Sequence, residues 1–455
     1  MTDIIWDINL IQKYNQSGPR YTSYPTALEF NESYNDDDFK AAAARYPNKP
    51  LSLYVHIPFC HKLCYFCACN KIITRHQHKV DIYLDYLEKE IKYRADLFKD
   101  RTVTQIHWGG GTPTYLDEEQ SLRLMAMLRK HFNVIDDAEI SIEMDPREIE
   151  LEMLDHLREI GFNRISMGIQ DFNKEVQKLV NREQDEEFIF SLMKRARELG
   201  FTSTNIDLIY GLPKQTVESF MFTLDRVIEL NPDRMSVFNY AHLPSRFAAQ
   251  IKIKDEMLPA PETKLEILQK TIETLGNAGY KFIGMDHFAK PNDELASAQA
   301  KGELHRNFQG YTTQEDADLL GLGVSAISLL GDSYAQNHKE LKQYYTEVEM
   351  RGIALHKGLS MTKDDCLRRD VIKALICNFK LEYDRFEQDY QIDFNQYFAE
   401  DLSLLAPLAK DGLLEIGEKG IVVSPRGRLL IRNICMCFDI YSRQQAKRQQ
   451  FSRII

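Results

Sequence analysis

Six short apolar runs recur through the first half of this chain, and the stretches between them decide what it can fold into. LSLYVHI (51–57), TQIHW (104–108), AEISIEM (138–144), RISMGI (164–169), STNIDLIY (203–210) and RMSVFNY (234–240) are brief, hydrophobic and often β-branched, as suits pleated strands. Val80 to Phe98, Asp117 to His131 and Phe188 to Leu199 lie between them, with apolar residues returning every three or four positions, the period of an amphipathic helix. Strands alternating with helices predict a parallel sheet. Such a sheet curls toward a partial or full (β/α) barrel whose functional side chains gather at the carboxyl ends of its strands.

At 455 residues the chain exceeds what one hydrophobic core organises, and the alternation fades after about residue 275. We expect an N-terminal arm over 1–49 with the turn-rich segment SGPRYTSYPT (17–26), a barrel over 50–275, an extension and linker over 276–359, and a mainly helical C-terminal domain over 360–455. In that last part LLEIGEKGIVVSP (413–425) predicts a β-hairpin, which gives the domain a winged-helix-like character. The run from Leu319 to Gly331 is short and broken by Gly321, Gly323 and Ser325. It reads as a tightly packed loop or core element, not a membrane span.

A net charge of -11 argues against a large nucleic-acid footprint, since neutralising phosphates needs surplus Lys and Arg. No basic, then apolar, then small-residue pattern opens the chain, so we expect a cytoplasmic protein with no membrane span. Eight cysteines kept reduced there point to metal or redox chemistry before a disulfide framework.

Three of them, Cys60, Cys64 and Cys67, form C-x3-C-x2-C directly after the first strand. Three thiolates on one short loop can hold three irons of a cubane and leave the fourth open. A structural zinc site would want four closed ligands; Cys69 could be the fourth, although C-x-C strains the geometry. The roles of Cys69, Cys366, Cys377, Cys435 and Cys437 stay open, with Cys435 and Cys437 reading as buried helix residues.

The other motifs also fall at strand ends. GGGTPT (109–114) follows the second strand, and glycines there admit positive φ and close backbone approach to a ligand; alone, such a turn is more often just a turn. Glu143 ends the third strand, where an acid can bind hydroxyls or an ammonium group, while Asp145 before Pro146 reads as a helix cap. Gln170, Arg182 and Asp207 follow in SMGIQDFN, NREQ and NIDLIYGLP. Taken singly, each would more often be a solvated or capping residue.

The cysteine spacing, with Phe66 just before the third cysteine, resembles the radical S-adenosylmethionine superfamily. Over nearly the whole chain, PRYTSYPT, YVHIPFCHKLCYFC, WGGGTPT, RISMGIQDFN, NIDLIYGLPKQT, FNYAHLP, GMDHFA, RNFQGYTT and GVSAISLLGD resemble one of its families, the oxygen-independent coproporphyrinogen III oxidases. The resemblance implies a radical S-adenosylmethionine barrel and one [4Fe-4S] cluster on Cys60, Cys64 and Cys67. It also implies S-adenosylmethionine as cofactor, with room for two molecules. It assigns Tyr54, Phe66, Gly110, Gly111, Thr112, Glu143, Gln170, Arg182, Asp207, Ala241 and Ile327 to cofactor binding. Tyr54, Glu143, Phe308, Gln309 and Ile327 are expected to act in catalysis.

The implied reaction turns two propionates of coproporphyrinogen III into vinyl groups, giving protoporphyrinogen IX on the route to haem. A reductase or flavodoxin-like partner would supply electrons to a monomeric enzyme. A polyanionic substrate calls for local cations in an acidic protein, with Arg20 and Arg306 as candidates beside the alternative of surface ion pairs. Two other readings stay open: a haem chaperone of the same superfamily, against which the PRYTSYPT arm counts, and a non-catalytic iron-sulfur redox sensor, against which the net charge counts.

Overall fold

Each of the six apolar runs is a strand: Leu51–Ile57 (β1), Thr102–Gly110 (β2), Asn133–Met144 (β3), Arg164–Gln170 (β4), Ser203–Tyr210 (β5) and Arg234–Asn239 (β6). The structure, a computed structural model, describes residues 4–315, 317–443 and 451. Each of the six strands pairs in parallel with the next. Helices connect them as the periodicity predicts, among them His78–Leu97, Glu118–His131 and Glu186–Glu198. Asp117 starts the second of these by accepting the backbone N–H of Gln120, whose side chain reaches back. That reciprocal cap satisfies donors the first turn leaves orphaned.

Among the described residues the chain divides into two compact units, one built from 30–267 and 317–360, the other from 4–29, 268–315 and 361 onward. In the first, side chains of the middle strands alternate strictly. Ala138, Ile140, Ile142 and Met144 of β3, Ile165, Met167 and Ile169 of β4, and Ile206 and Leu208 of β5 are buried. The residues between them (Glu139, Ser141 and Glu143; Ser166, Gly168 and Gln170; Asn205 and Asp207) are only partly covered. Since successive side chains of a strand point to opposite faces, one face of the sheet is apolar core and the other a polar surface.

Of the two readings of 319–331, loop or core element, the core element holds. Asp318–Leu322 is a further strand, parallel to β1 on the side away from β2. Ile327–Leu330, Ser333–Asn337 and Leu355–Ser360 extend the sheet antiparallel beyond it. The glycines that looked like breaks are what allow this packing: a Cβ on Gly321 would stand 2.6 Å from the carbonyl oxygen of Ile327. Within this unit the strand order runs from Leu355–Ser360 to β6 and does not close on itself, so the barrel is partial, not full. Glu90, wholly buried on the helix His78–Leu97, secures this side. It pairs with Arg94 at 2.8 Å and accepts from Gly323 N, Asn337 Nδ2 and Tyr344 Oη at 2.7 to 2.8 Å. A carboxylate so enclosed needs that full set of donors to offset its lost hydration.

The second unit is mainly helical from residue 361 on, with Lys363–Asn378 and Ala399–Lys410 its longest helices there. The expected hairpin is present as Leu414–Ile416 and Gly420–Val423, joined by a third strand, Lys380–Glu382. Cys435 lies in the helix Ile431–Met436 and Cys437 at its end, both buried. Of the expected arm only residues 4–29 belong to this unit, the rest to the first: Tyr21 and Tyr24 are buried, and Tyr21 Oη donates to Asp439 at 3.0 Å.

Candidate active site

The cysteine loop leaves the carboxyl end of β1 and lies among residues that suit anionic sulfur. Thr112 Oγ1 is 3.4 Å from Cys60 Sγ. Two guanidiniums converge on Cys64 Sγ, Arg147 through Nη2 and Arg182 through Nη1, each at 3.2 Å. Asp145 holds both: Arg147 binds it through Nε at 2.9 Å and Nη2 at 2.6 Å, and Arg182 Nη1 lies 3.1 Å away. Burial opposes the charge of Asp145, but Arg182 and Arg147 outweigh it and hold the carboxyl well below its ordinary range. Asp145 therefore does not cap a helix, as its place before Pro146 suggested; the next helix begins only at Met153. The hydrogen bond between Cys67 and Cys69 lowers the pKa of the first thiol and raises that of the second.

The glycine turn is shaped by β1 and β3. Gly110, at φ +118°, leaves no room for a side chain, because a Cβ would stand 2.6 Å from the His56 ring. A Cβ on Gly111 would meet the backbone of Pro58 and Phe59 at 2.8 Å. Gly110 N donates to Glu143 Oε2 at 3.2 Å, and His107 Nε2 lies 3.3 Å from Oε1. Burial opposes the charge of Glu143, but His107 and the Gly110 N–H prevail and lower its pKa. Its side chain keeps 46% of its exposure, so a ligand can reach it. Tyr54 stacks on His107 with ring centroids 5.9 Å apart, and its hydroxyl lies 3.0 Å from His56 Nδ1.

β4 and β5 add Gln170, at φ +71°, and Asp207. Asp207 shares a polar knot with Asn205 and Ser166, at 2.9 and 3.4 Å. Burial first and the charge of Glu143 second push it up to about 6. Arg182 is buried, and besides Cys64 and Asp145 it donates to Gly168 O through Nε at 3.1 Å. Phe66 packs on an apolar cluster of Val176, Val180, Leu212, Tyr240 and Ile253. Its carbonyl and that of Ala241 both accept from Gln250 Nε2, at 3.0 and 3.2 Å. Ile327 opens the strand against Gly321, which stands opposite Tyr54.

Tyr54, the three cysteines, the glycines, Thr112, Glu143, Gln170, Arg182, Asp207, Ala241 and Ile327 thus all lie in the first unit. Phe308 and Gln309 belong to the second, in the tight turn between His305–Arg306 and Tyr311–Thr312. Three residues at the site carry no signal in the sequence. Arg147 and Gln250 belong to no motif of their own, and His56 sits in a strand buried on both faces, where alternation says nothing about direction.

The residues present fit an iron-sulfur cluster. Among the described residues no three His, Cys, Asp or Glu side chains are placed to share one metal ion, and a cubane does not ask that, since each cysteine binds a different iron. The guanidiniums at Cys64 supply hydrogen bonds of the kind that stabilise a thiolate ligand.

A cysteine loop at the end of the first parallel strand, a glycine turn after the second and a polar inner face define a radical S-adenosylmethionine protein. The family model described as the Radical SAM superfamily matches residues 54–227, and that of the HemN C-terminal domain matches 361–430. The chain is 71% identical over 452 residues to the oxygen-independent coproporphyrinogen III oxidases of Salmonella typhimurium and Escherichia coli K12, covering 99% of each partner and of itself. It is 51% identical to the oxygen-independent coproporphyrinogen III oxidase of Pseudomonas aeruginosa, over the full length of both. The solved structure of the Escherichia coli coproporphyrinogen III oxidase HemN, described as a radical SAM enzyme, superposes with a TM-score of 0.94 at 69% identity over 96% of this chain and all of that one. The chain belongs to the oxygen-independent coproporphyrinogen III oxidase family.

Proposed function

We infer that this chain is an oxidoreductase that decarboxylates two propionates of coproporphyrinogen III to vinyl groups without oxygen. The observation that carries the reading is the Cys60, Cys64 and Cys67 loop at the end of β1, in a chain 71% identical end to end to enzymes of that name. Cys60, Cys64 and Cys67 would hold one [4Fe-4S] cluster. Gly110, Gly111, Thr112, Glu143, Gln170, Arg182, Asp207, Ala241 and Ile327 would line the space for S-adenosylmethionine, with Tyr54 and Phe66 at its edge. When bound, these cofactors and an external electron donor supply a hydrogen-abstracting 5′-deoxyadenosyl radical.

Each propionate that reacts loses a β-hydrogen atom, carbon dioxide and, to an external one-electron acceptor, one electron, and a vinyl group remains. The protein's part is placement. Glu143 offers an ionised carboxylate where a cationic cofactor group can meet it, while Tyr54 and His107 wall that carboxylate on one side. Arg182 is committed to Asp145, Cys64 and Gly168, so its contribution to cofactor binding would act partly through the turn it braces. Gln170, Asp207 and Ile327 lie on the same unit, and a second S-adenosylmethionine would draw on residues of this set. The test is anaerobic turnover of the cluster-loaded protein with dithionite, S-adenosylmethionine and coproporphyrinogen III. Protoporphyrinogen IX is the expected product; 5′-deoxyadenosine without it would point to the chaperone reading.

A further inference from the structure

The second unit holds a buried cation, two of whose donor nitrogens have no acceptor among the described residues. Arg306 is 9% exposed, and its guanidinium carbon lies 4.7 Å from the centre of the Tyr311 ring, its cross-strand neighbour. Tyr311 is fixed in turn by donating from its hydroxyl to Ile376 O at 3.3 Å. A ring face stabilises a cation but accepts none of the in-plane N–H groups. Arg306 Nε and Nη1 are buried with no hydrogen-bond partner among the described residues, and so is the Nε2 of Gln309, three residues on. The turn between them is held by Asn307, whose Oδ1 accepts Gln309 N at 2.9 Å.

Arg306 is not alone. Arg432 is buried and hydrogen-bonded to the arm, through Nε to Pro19 O at 2.8 Å and through Nη2 to Gly18 O. Burial, then the positive charges of Arg20 and Arg306, lower its pKa to about 9. The carboxylates that touch these residues already have partners: Asp286 takes Arg20, and Asp439 takes the Tyr21 hydroxyl. Glu315 is bound to His305 at 3.2 Å and to Arg385. The region thus keeps an excess of buried positive charge and at least three buried N–H donors, which is costly unless a ligand supplies an anion.

We propose that Arg306, with the Gln309 amide, forms a carboxylate-binding site of the second unit and takes a propionate of the substrate. This rests on the functional reading above. Each of the two unpartnered nitrogens, Nε on one edge of the guanidinium and Nη1 on another, can donate a charge-assisted hydrogen bond to a carboxylate oxygen, and the buried charge of Arg432 adds to the field that draws the anion in.

The test uses the full-length, cluster-loaded protein and coproporphyrin III, the stable oxidised tetracarboxylate, with its tetramethyl ester as the uncharged control. Arg306→Gln should weaken coproporphyrin III binding about tenfold or more, as expected for loss of a charge-assisted pair, and leave the ester nearly unaffected; Arg306→Lys should restore part of the loss. Gln309→Leu gives an independent check, with a smaller loss in the same direction. Iron content and melting temperature must match wild type, and if Arg306→Gln does not fold, Arg306→Lys and Gln309→Leu decide. Unchanged coproporphyrin III binding, or equal losses for acid and ester, would overturn the site. A wild-type protein that binds coproporphyrin III through Arg306 yet never converts coproporphyrinogen III would overturn the functional reading and leave the site standing.

Discussion

Arg147 Nη2 lies 3.2 Å from Cys64 Sγ while the same guanidinium is clamped by Asp145 through Nε and Nη2. A fixed cation that donates to a cluster thiolate stabilises the more negative, reduced state, so it raises the reduction potential. Arg147→Met should therefore lower the midpoint potential of the bound cluster. A charge-assisted hydrogen bond contributes about 1.5–3 kcal/mol, and tenfold in a one-electron equilibrium is about 59 mV, so a shift of up to roughly 65–130 mV is expected. Redox titration followed by electron paramagnetic resonance measures it. An unchanged potential at full iron content would mean that the contact does not persist beside the cluster.

The cysteines divide by the same argument. Cys60, Cys64 and Cys67 are the thiolates a cluster with one open iron needs, and Cys69 is exposed beside Cys67. Replacing any of the first three by Ser should abolish iron binding after anaerobic reconstitution, and Cys69→Ser should retain it. Iron and sulfide counts decide. A Cys69→Ser protein that held no iron would require a fourth protein ligand.

How far the sequence reached depends on which physical signal each residue gives. The strands β1 to β6 were readable because β-branched runs alternate with helical periods, and Glu143, Gln170 and Asp207 could be placed by their position on those strands and by resemblance to the family's motifs; the alternation that sets them on the polar face shows in the structure. The strand Asp318–Leu322 was hidden by its glycines, which look like breaks until the backbone of Ile327 is seen to occupy the space of a side chain. Arg147 gave no signal, since it is joined to Cys64 across 83 positions of chain and no local pattern reports a contact of that separation. The arm was legible as a turn-rich segment, but its burial against Asp439 and Arg432 depends on residues some four hundred positions away.

Glu143 is the residue through which cofactor binding should be most sensitive. Its carboxylate is held below the ordinary range despite its surroundings, by His107 and the Gly110 N–H, so it is ionised at neutral pH and available to a cationic group. Glu143→Ala should keep the cluster and weaken S-adenosylmethionine binding by about 1.5–3 kcal/mol, roughly tenfold to a hundredfold. Equilibrium dialysis of the reconstituted protein reads it directly. The wild-type affinity should fall on acidification only below the ordinary carboxylate range, because the proton must displace those two donors first.

Asp207 carries the opposite sign. Burial and the neighbouring charge of Glu143 raise it to about 6 from an ordinary 3.8, so the folded protein prefers the protonated acid. The stability this lends is fully present below the unfolded value and is lost as pH rises through the folded one. Asp207→Asn has no such proton to lose. The stability of Asp207→Asn relative to wild type should therefore increase between about pH 4 and pH 7, by roughly 1–3 kcal/mol, since each tenfold change in proton affinity is worth about 1.36 kcal/mol, and level off above. Urea unfolding of both proteins without cofactors, at matched ionic strength across that window, measures the difference. A gap that stays flat, or narrows as pH rises, would mean that Asp207 is already ionised in the folded protein, with its charge met by the Asn205 amide and the Ser166 hydroxyl.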